Sequence, residues 1–346
     1  MNKLDREQEI IQLAAGLKVD WQQNAVRNII ALCHQKISAW LKHSPKIHSI
    51  RELEELVCRK LKLVFENVRS DEDLNNIIRK YVGLGEPIFR TLKTDLDDKT
   101  FATLIERRKI DGRSHDRYVA VIDCRGGKGA RRFFTRWHEI AHLLTLQGQL
   151  ELPLHRSTTD QSPTERLMDT IAGEIGFYDS LFKPILESEV AADGSLSFDA
   201  VDCIRERFSP EASFQATLNA AVARAKVPIL SVRVGLGFKK EEQKLIKSSV
   251  SNVTIPKAKL RILSISSNEA ARGTDLQIHR NMEVPGTSVL HKLFFEPEMF
   301  SENDVEGQEN LNTWLHSDQS SLANVEVMIR ARRVSDSLIA MISPVR

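Results

Sequence analysis

The residues best suited to chemistry lie in the segment "RWHEIAHLL", residues 136–144. It holds His138 and His142 four positions apart, with Glu139 directly after the first histidine. Positions i and i+4 of a helix share one face, so both imidazoles can reach a single zinc ion. Glu139 lies on the adjacent flank, where a carboxylate can take a proton from water activated by the metal. The spacing therefore indicates a zinc site with a base, although an amphipathic helix with two unrelated histidines fits the same five residues.

A third ligand can come from the segment that follows. Catalytic zinc takes three protein ligands and keeps one position open. The segment "TERLMDTIAGEI" begins 22 residues after His142 and predicts a second helix, with Glu165 in its first turn and Asp169 one turn later. Glu165 can be the third ligand, and Asp169 can accept a ring N–H from a ligating histidine. The alternative for Glu165 is a carboxylate stabilised by the helix dipole.

The surrounding pattern predicts a mixed α+β protein. Helical spacing of apolar residues indicates helices over residues 1–50 and two more over 51–83. "RRFFTRWHEIAHLLTLQG" predicts a helix ended by Gly148, and "TERLMDTIAGEIGFYDSLFKPIL" predicts one helix with Thr164 as its N-cap. The segments "KTFATLIERRKI" and "DRYVAVIDC" predict a hairpin, and "ELPLHRSTTDQSP" predicts a loop.

The rest of the chain continues the mixed pattern. Residues 197–235 predict two or three short helices. From about residue 255 onward the chain is rich in strand-forming segments, including "AKLRILSIS", "TDLQIHRN", "VEVMIRARRV" and "DSLIAMIS".

Composition limits the classes of protein that fit. The chain has 346 residues, which favours two or three domains, and its 41% hydrophobic and 28% charged content is typical of globular proteins. A net charge of +2 gives no overall nucleic-acid signature, and the sequence predicts neither a signal peptide nor a membrane span. The four cysteines form no CxxC pair, which favours a reduced, cytoplasmic location: Cys33, Cys58, Cys124 and Cys203.

The segments "FTRWHEIAHLL" and "ERLMDTIAGEI" together resemble the ImmA/IrrE family of metallopeptidases. Members carry an "rF-x-x-x-HE-x-x-H" helix and then "E-x-x-A-N/D-x-x-A-A-x-L-L-M-P". The positions that match this pattern are Phe134, His138, Glu139, His142, Glu165, Asp169, and Ala172 with Gly173 as the small pair that lets the second helix pack closely. Residues 175–178 depart from the family's Leu-Leu-Met-Pro, and the clear resemblance covers about residues 115–180.

The resemblance implies an α+β fold in which a zincin-like metallopeptidase domain has a small antiparallel sheet and helices. We expect an N-terminal helical region over 1–50, the peptidase domain over 51–195, a helix-turn-helix-like unit over 196–238, and a β-rich sensory domain over 239–346. A GAF-like C-terminal domain, found in some family members, is compatible with this last segment.

The implied function is that of a zinc-dependent endopeptidase. It would cleave a partner helix-turn-helix transcriptional repressor after a stress or DNA-damage signal and so derepress a linked operon, as in phage defence, with DNA as a candidate activating ligand. The alternative is a non-catalytic regulator that binds a repressor or DNA and holds a structural metal or none. The intact Glu139 favours the enzyme, because a structural site needs no base.

Three further residues are candidates for the site. Cys124 ends a strand near the zinc helix, and its thiolate could be an inhibitory fourth zinc ligand; the alternative is a buried, inert cysteine. Tyr178 and His155 could stabilise an oxyanion, although His155 is also typical of a surface loop histidine.

Overall fold

The computed structural model of the protein describes residues 3–108, 116–146, 154–157, 162–193, 195–247, 257–300, 303–316 and 320–345. It is a mixed α+β protein, as the sequence predicts. The chain divides into two compact units, one formed by Met1–Glu187 with Ile204–Ala216 and the other by Ser188–Cys203 with Thr217–Arg346. The predicted unit over 196–238 is therefore shared between them. Within the described ranges, no helix has the length and apolar character needed to cross a membrane.

The first unit begins with helices and then forms a small sheet. Its elements up to the helix that carries His138 and His142 are α1 (Lys3–Gly16), α2 (Ala25–Lys42), α3 (Ile50–Leu61), β1 (Leu63–Val68), α4 (Asp71–Gly83), α5 (Leu92–Asp95), β2 (Thr100–Glu106), β3 (Tyr118–Asp123) and α6 (Arg132–Leu146). They are followed by β4 (Leu154–Ser157), α7 (Pro163–Gly176) and α8 (Asp179–Asp193). The helices α9 (Phe198–Phe208) and α10 (Phe214–Arg224) come next along the chain.

The sheet of the first unit has the strand order β1-β3-β2-β4. The predicted hairpin is confirmed as β2 and β3, which pair antiparallel. The sheet is not purely antiparallel as expected, because β1 runs parallel to β3. Such a parallel pair needs a crossover connection, and the chain between these two strands supplies it. β4 lies at the edge next to β2, and β3 is buried along its whole length.

Helices cover the sheet on both faces. On one face, α4 packs in a core that includes Val119 and Val121 of β3. Side chains alternate along a strand, so Ala120 and Ile122 point to the other face, where α6 contacts β3. Every residue of α6 over 137–145 is buried, which places the two histidines inside the unit rather than on its surface.

Several predicted element boundaries are wrong. Helix α3 ends before Lys62, whose φ of 56° is left-handed, and the next residues form β1 instead of a second half of the helix. The expected loop after α6 contains β4, and the predicted long helix over 164–186 is divided between two helices, α7 and α8. Ser162, not Thr164, is the N-cap of α7. Gly148, the expected end of α6, lies outside the described residues.

The second unit is built on a five-stranded antiparallel sheet. Its strands and helices are β5 (Leu230–Gly237), α11 (Lys240–Lys247), β6 (Lys259–Ser267), α12 (Val289–Phe295), β7 (Asp304–Asn310), β8 (Glu326–Val334) and β9 (Ser337–Pro344). The strand order is β6-β5-β9-β8-β7. The predicted strands are confirmed for β6, β8 and β9, whereas "TDLQIHRN" forms no strand and β5 lies in the segment expected to be helical.

Candidate metal centre

The two histidines and the glutamate of the predicted zinc site converge on one point. Nε2 of His138 lies 3.0 Å from Oε2 of Glu165 and 3.1 Å from Nε2 of His142. Nε2 of His142 is 3.3 Å from Oε1 of Glu165. Within the described part of the chain, these three side chains form the one group of His, Cys, Asp and Glu that could hold a metal ion.

The separations suit a zinc ion. Zinc binds nitrogen and oxygen donors at about 2.0–2.2 Å, so tetrahedral geometry puts two donors roughly 3.4 Å apart. The observed values of 3.0–3.3 Å need only a small expansion to reach that spacing. A set of two imidazoles and one carboxylate is also the donor set of many hydrolytic zinc sites. The residues present therefore fit zinc.

Two helices bring these donors together. His138 and His142 lie one turn apart on α6, whose neighbouring residues are buried and hold the helix in place. Ser162 caps α7 by accepting the backbone N–H of Glu165 at 3.1 Å, which fixes the first turn that carries the glutamate. Pro163 at the start of α7 adds to this rigidity, because its backbone angle is already helical.

The close approach of α7 to α6 occurs at Gly176. A Cβ atom at this position would lie 3.0 Å from the ring of Trp137, so only glycine fits without displacing the indole. Gly173, expected to be part of the small pair, has open space around its Cα. Ala172 is buried. Of the two glycines, Gly176 and not Gly173 is therefore the one in close contact with α6.

Asp169 holds His138 in the orientation that the site needs. Its Oδ1 lies 2.8 Å from Nδ1 of the ring, so Nδ1–H donates to the carboxylate and Nε2 is the ring nitrogen directed at Glu165. Burial lowers the pKa of His138, but the hydrogen bonds with Asp169 and Glu165 outweigh it and raise that pKa overall. Burial raises the pKa of Glu165, yet hydrogen bonds from both histidines hold it far below its ordinary value.

Glu139 is buried beside the group and is not part of it. The residue is 1% exposed, and its Oε1 has no hydrogen-bond partner within the described chain. A buried carboxylate oxygen without a partner is costly, and such atoms are uncommon in folded proteins. This oxygen is available to a water or substrate proton, as the role of a base requires.

Arg156 is a charged neighbour of the site that the sequence did not reveal. It lies on β4, and its Nη2 donates to Oδ1 of Asp169 at 3.3 Å. Its guanidinium stacks on Phe134 at 5.3 Å, while Nη1 is buried and has no partner among the described residues. Burial lowers the pKa of Arg156. No motif marks a single arginine in a four-residue strand, so only the fold identifies it.

Cys124 is not the fourth ligand in this structure. Its Sγ lies 3.9 Å from Oδ1 of Asn67, and it does not belong to the histidine group. Its backbone N–H continues the pairing with β1 through Val68 O at 2.8 Å. The thiol is therefore held near β1 at one edge of the sheet, whereas Arg156 on β4, at the other edge, contacts the histidine site. Burial also raises the pKa of Cys124, which favours the thiol over the thiolate.

The two candidates for oxyanion stabilisation are Tyr178, whose contacts the structure describes, and His155, whose side chain lies outside the described part. The hydroxyl of Tyr178 is 3.1 Å from Oγ of Ser38 on α2, and its ring stacks on His34 at 5.8 Å. Tyr178 is therefore occupied in a contact with α2, and Arg156 is the polar side chain seen beside the site. His155 lies in β4 opposite Thr103, but its side chain is outside the described part of the structure.

No protein-family model matches the sequence, and no similar protein was found among the curated proteins. The chemistry of this site must therefore be argued from its own side chains. Their donor types, spacing and burial are what support a function.

Proposed function

We propose that the protein is a zinc-dependent endopeptidase whose zinc is held by His138, His142 and Glu165. The observation that carries the proposal is the convergence of these three donors beside Glu139, a buried carboxylate with an unpaired oxygen. Structural zinc sites are closed by four protein ligands, whereas catalytic sites have three and one open position. The described residues supply three, which favours catalysis.

Each side chain around the metal group has a role in peptide hydrolysis. Zinc, when bound, supplies Lewis acidity that polarises water and a peptide carbonyl. Glu139 accepts the proton of the attacking water at its unpaired Oε1 and passes it to the amine nitrogen that leaves. Asp169 keeps the ring of His138 oriented. Arg156, with a buried and unpaired Nη1, is placed to stabilise negative charge on the carbonyl oxygen.

The position of β4 at the edge of its sheet favours an extended peptide as the substrate. In the sheet of the first unit, β4 pairs with β2 on one side and no described strand pairs with its other side. An extended peptide can add to such an edge through backbone hydrogen bonds. Because β4 also carries Arg156, a peptide bound there would pass close to the metal group. A helix-turn-helix repressor as the substrate rests on the family resemblance alone.

The test is a comparison of Glu139→Gln with Glu72→Gln, the same change on the exposed first turn of α4. We expect Glu139→Gln to retain its zinc, because Glu139 is not a ligand, and to lose activity by about 10²–10⁴-fold, the usual contribution of a general base. Metal content is measured by atomic emission. Cleavage is measured on a peptide library and on any helix-turn-helix protein that the neighbouring genes encode.

The control Glu72→Gln should behave as the wild type in both measurements. Near-normal cleavage by zinc-loaded Glu139→Gln would refute the proposed role of the base. A wild-type protein that binds zinc and a repressor but cleaves neither the repressor nor any library peptide would instead support the non-catalytic regulator.

A further inference from the structure

The second unit contains a cavity whose lining residues belong to none of the motifs seen in the sequence. Its volume is about 760 Å³, within the roughly 300–1,000 Å³ of small-molecule sites. Four separate segments line it: the start of α11, the start of β6, the loop over 279–286, and residues 313–316. The size is suited to a molecule of about the size of a mononucleotide.

A buried arginine lines this cavity, and one nitrogen of its guanidinium has no hydrogen-bond partner among the described residues. Arg261 of β6 is 2% exposed. Its Nη1 donates to the carbonyl of Asn281 at 3.0 Å, whereas its nearest carboxylate, Glu242, is 3.8 Å from Nη2 and beyond hydrogen-bond distance. Its Nε has no partner in the described chain. A buried guanidinium is costly unless acceptors surround it, so an anionic ligand would complete this site.

The charges around Arg261 also favour an anion. Four cationic side chains line the cavity against two acidic ones, Glu241 and Glu283, which leaves an excess of two positive charges. Lys259 is neutralised by Glu283 at 2.9 Å. Arg280 and Lys239 form no ion pair with any described carboxylate, so both can contribute to binding.

Two imidazole rings in the cavity wall provide planar surfaces for stacking. His279 and His316 both line the cavity, and their ring centroids are 5.4 Å apart with an angle of 32° between the planes. A planar heterocycle can stack on such rings. An arginine fork next to them would bind a phosphate in two places at once, which a lysine cannot do.

We propose that this cavity binds a small phosphate-bearing molecule, with Arg261 and Arg280 on the phosphate. This site does not share residues with the metal centre, so it goes beyond the proposed peptidase activity. The phosphate could belong to a nucleotide or to an inorganic polyphosphate. The imidazole pair favours the nucleotide.

The experiment measures binding of adenosine monophosphate and of pyrophosphate to the full-length protein by calorimetry. We expect saturable binding with one site per chain. Arg280→Ala should weaken it by about tenfold or more, the usual effect of losing a charge-assisted hydrogen bond. Arg333→Ala is the matched control, because it removes an exposed arginine of the same unit that does not line the cavity.

Arg261→Lys keeps the buried charge but removes the fork, and it should weaken binding while the protein remains folded by circular dichroism. Tighter binding of the monophosphate than of pyrophosphate identifies a nucleotide site, and the reverse identifies a polyphosphate site. Absence of saturable binding to the wild type, or equal losses in Arg280→Ala and Arg333→Ala, would overturn the proposal. So would oligonucleotide binding much tighter than that of either small probe, because it would identify a nucleic-acid surface.

Discussion

Helix α6 carries two pairs of residues at the same i, i+4 spacing, and the two pairs contact different kinds of partner. The first pair, Arg132 and Arg136, meets carboxylates from outside the helix and forms ion pairs with Glu211 and Glu54. The second pair, His138 and His142, meets Glu165 of α7 and forms the metal group. Arg136 and His138 are two positions apart, which places them on nearly opposite faces of the helix.

The difference shows that spacing brings two side chains together but does not determine their chemistry. On one face a strongly basic pair is neutralised by carboxylates and becomes part of the packing against α3. On the other face two imidazoles and a carboxylate direct their ring nitrogens and carboxylate oxygens at one point. The element that packs against each face therefore decides whether the pair is structural or can bind a metal.

The largest expected effect comes from removing the carboxylate that distinguishes the metal face. Glu165→Gln keeps the size of the side chain and the backbone cap contact with Ser162 but loses the charge, so we expect zinc affinity to fall by more than about 100-fold. Loss of a residue that only supports a ligand costs about 10–100-fold, and a ligand itself should cost more. Competition with a chromogenic chelator measures the affinity.

Glu174→Gln, a glutamate on the same helix outside the metal group, is the matched control for that experiment. Unchanged zinc affinity in Glu165→Gln would show that a different residue completes the site. The comparison between the two faces of α6 would then no longer hold.

The convergence of the candidate metal ligands could be predicted from the sequence because these residues lie on two consecutive helices. His138, Glu139 and His142 are within one helical turn and a half, and Glu165 is close behind in the chain. Helical periodicity is a local property, so it is readable without the fold. The place of Cys124 could not be decided from the sequence, because it depends on the pairing of β3 with β1, and the segment of β1 was predicted to be a helix. A pairing between distant segments has no local signal.

The cavity of the second unit, in contrast to the candidate metal ligands, could not be predicted from the sequence. Its lining comes from four segments between Lys239 and His316, and none of them carries a spacing pattern. "TDLQIHRN" even predicts a strand where the structure has a turn that brings His279 and Arg280 to the cavity. Arg261 lies in a strand that was predicted correctly. Its burial could not be predicted, because the neighbouring residues in the sequence do not indicate that a charged side chain is buried.

A second, smaller effect concerns the arginine face of α6. Burial raises the pKa of Glu54 to about 7, and the neighbouring Arg136 only partly offsets this, while the carboxylates of Glu211 and Glu55 add to it. A carboxyl whose folded pKa lies above its unfolded value of 4.5 favours folding at low pH, and this contribution is lost as the pH rises through about 7. A shift of this size corresponds to about 3 kcal/mol.

We therefore expect the wild type to lose stability between pH 5 and pH 8 relative to Glu54→Gln, in which the group cannot ionise. Urea unfolding at both pH values measures the difference. Glu52→Gln, an exposed change on the same helix, keeps Glu54, so its stability should follow that of the wild type at both pH values. Zinc content should be unchanged in all three proteins, since Glu54 is not in the metal group. A difference that is the same at both pH values would mean that Glu54 is already ionised at pH 5.

The smallest effect is expected at Glu211, the exposed partner of the arginine pair. Its side chain is 47% exposed, and Arg132, which donates to it, is 25% exposed. Arg136 is 3.9 Å away, too far for a hydrogen bond. Exposed ion pairs contribute about 0–1 kcal/mol because water screens them, so Glu211→Gln should cost no more than about 1 kcal/mol. The cost should shrink in high salt, which urea unfolding at two salt concentrations can show. A loss of more than about 2 kcal/mol in the free energy of unfolding would contradict this prediction, because exposed ion pairs contribute only about 0–1 kcal/mol.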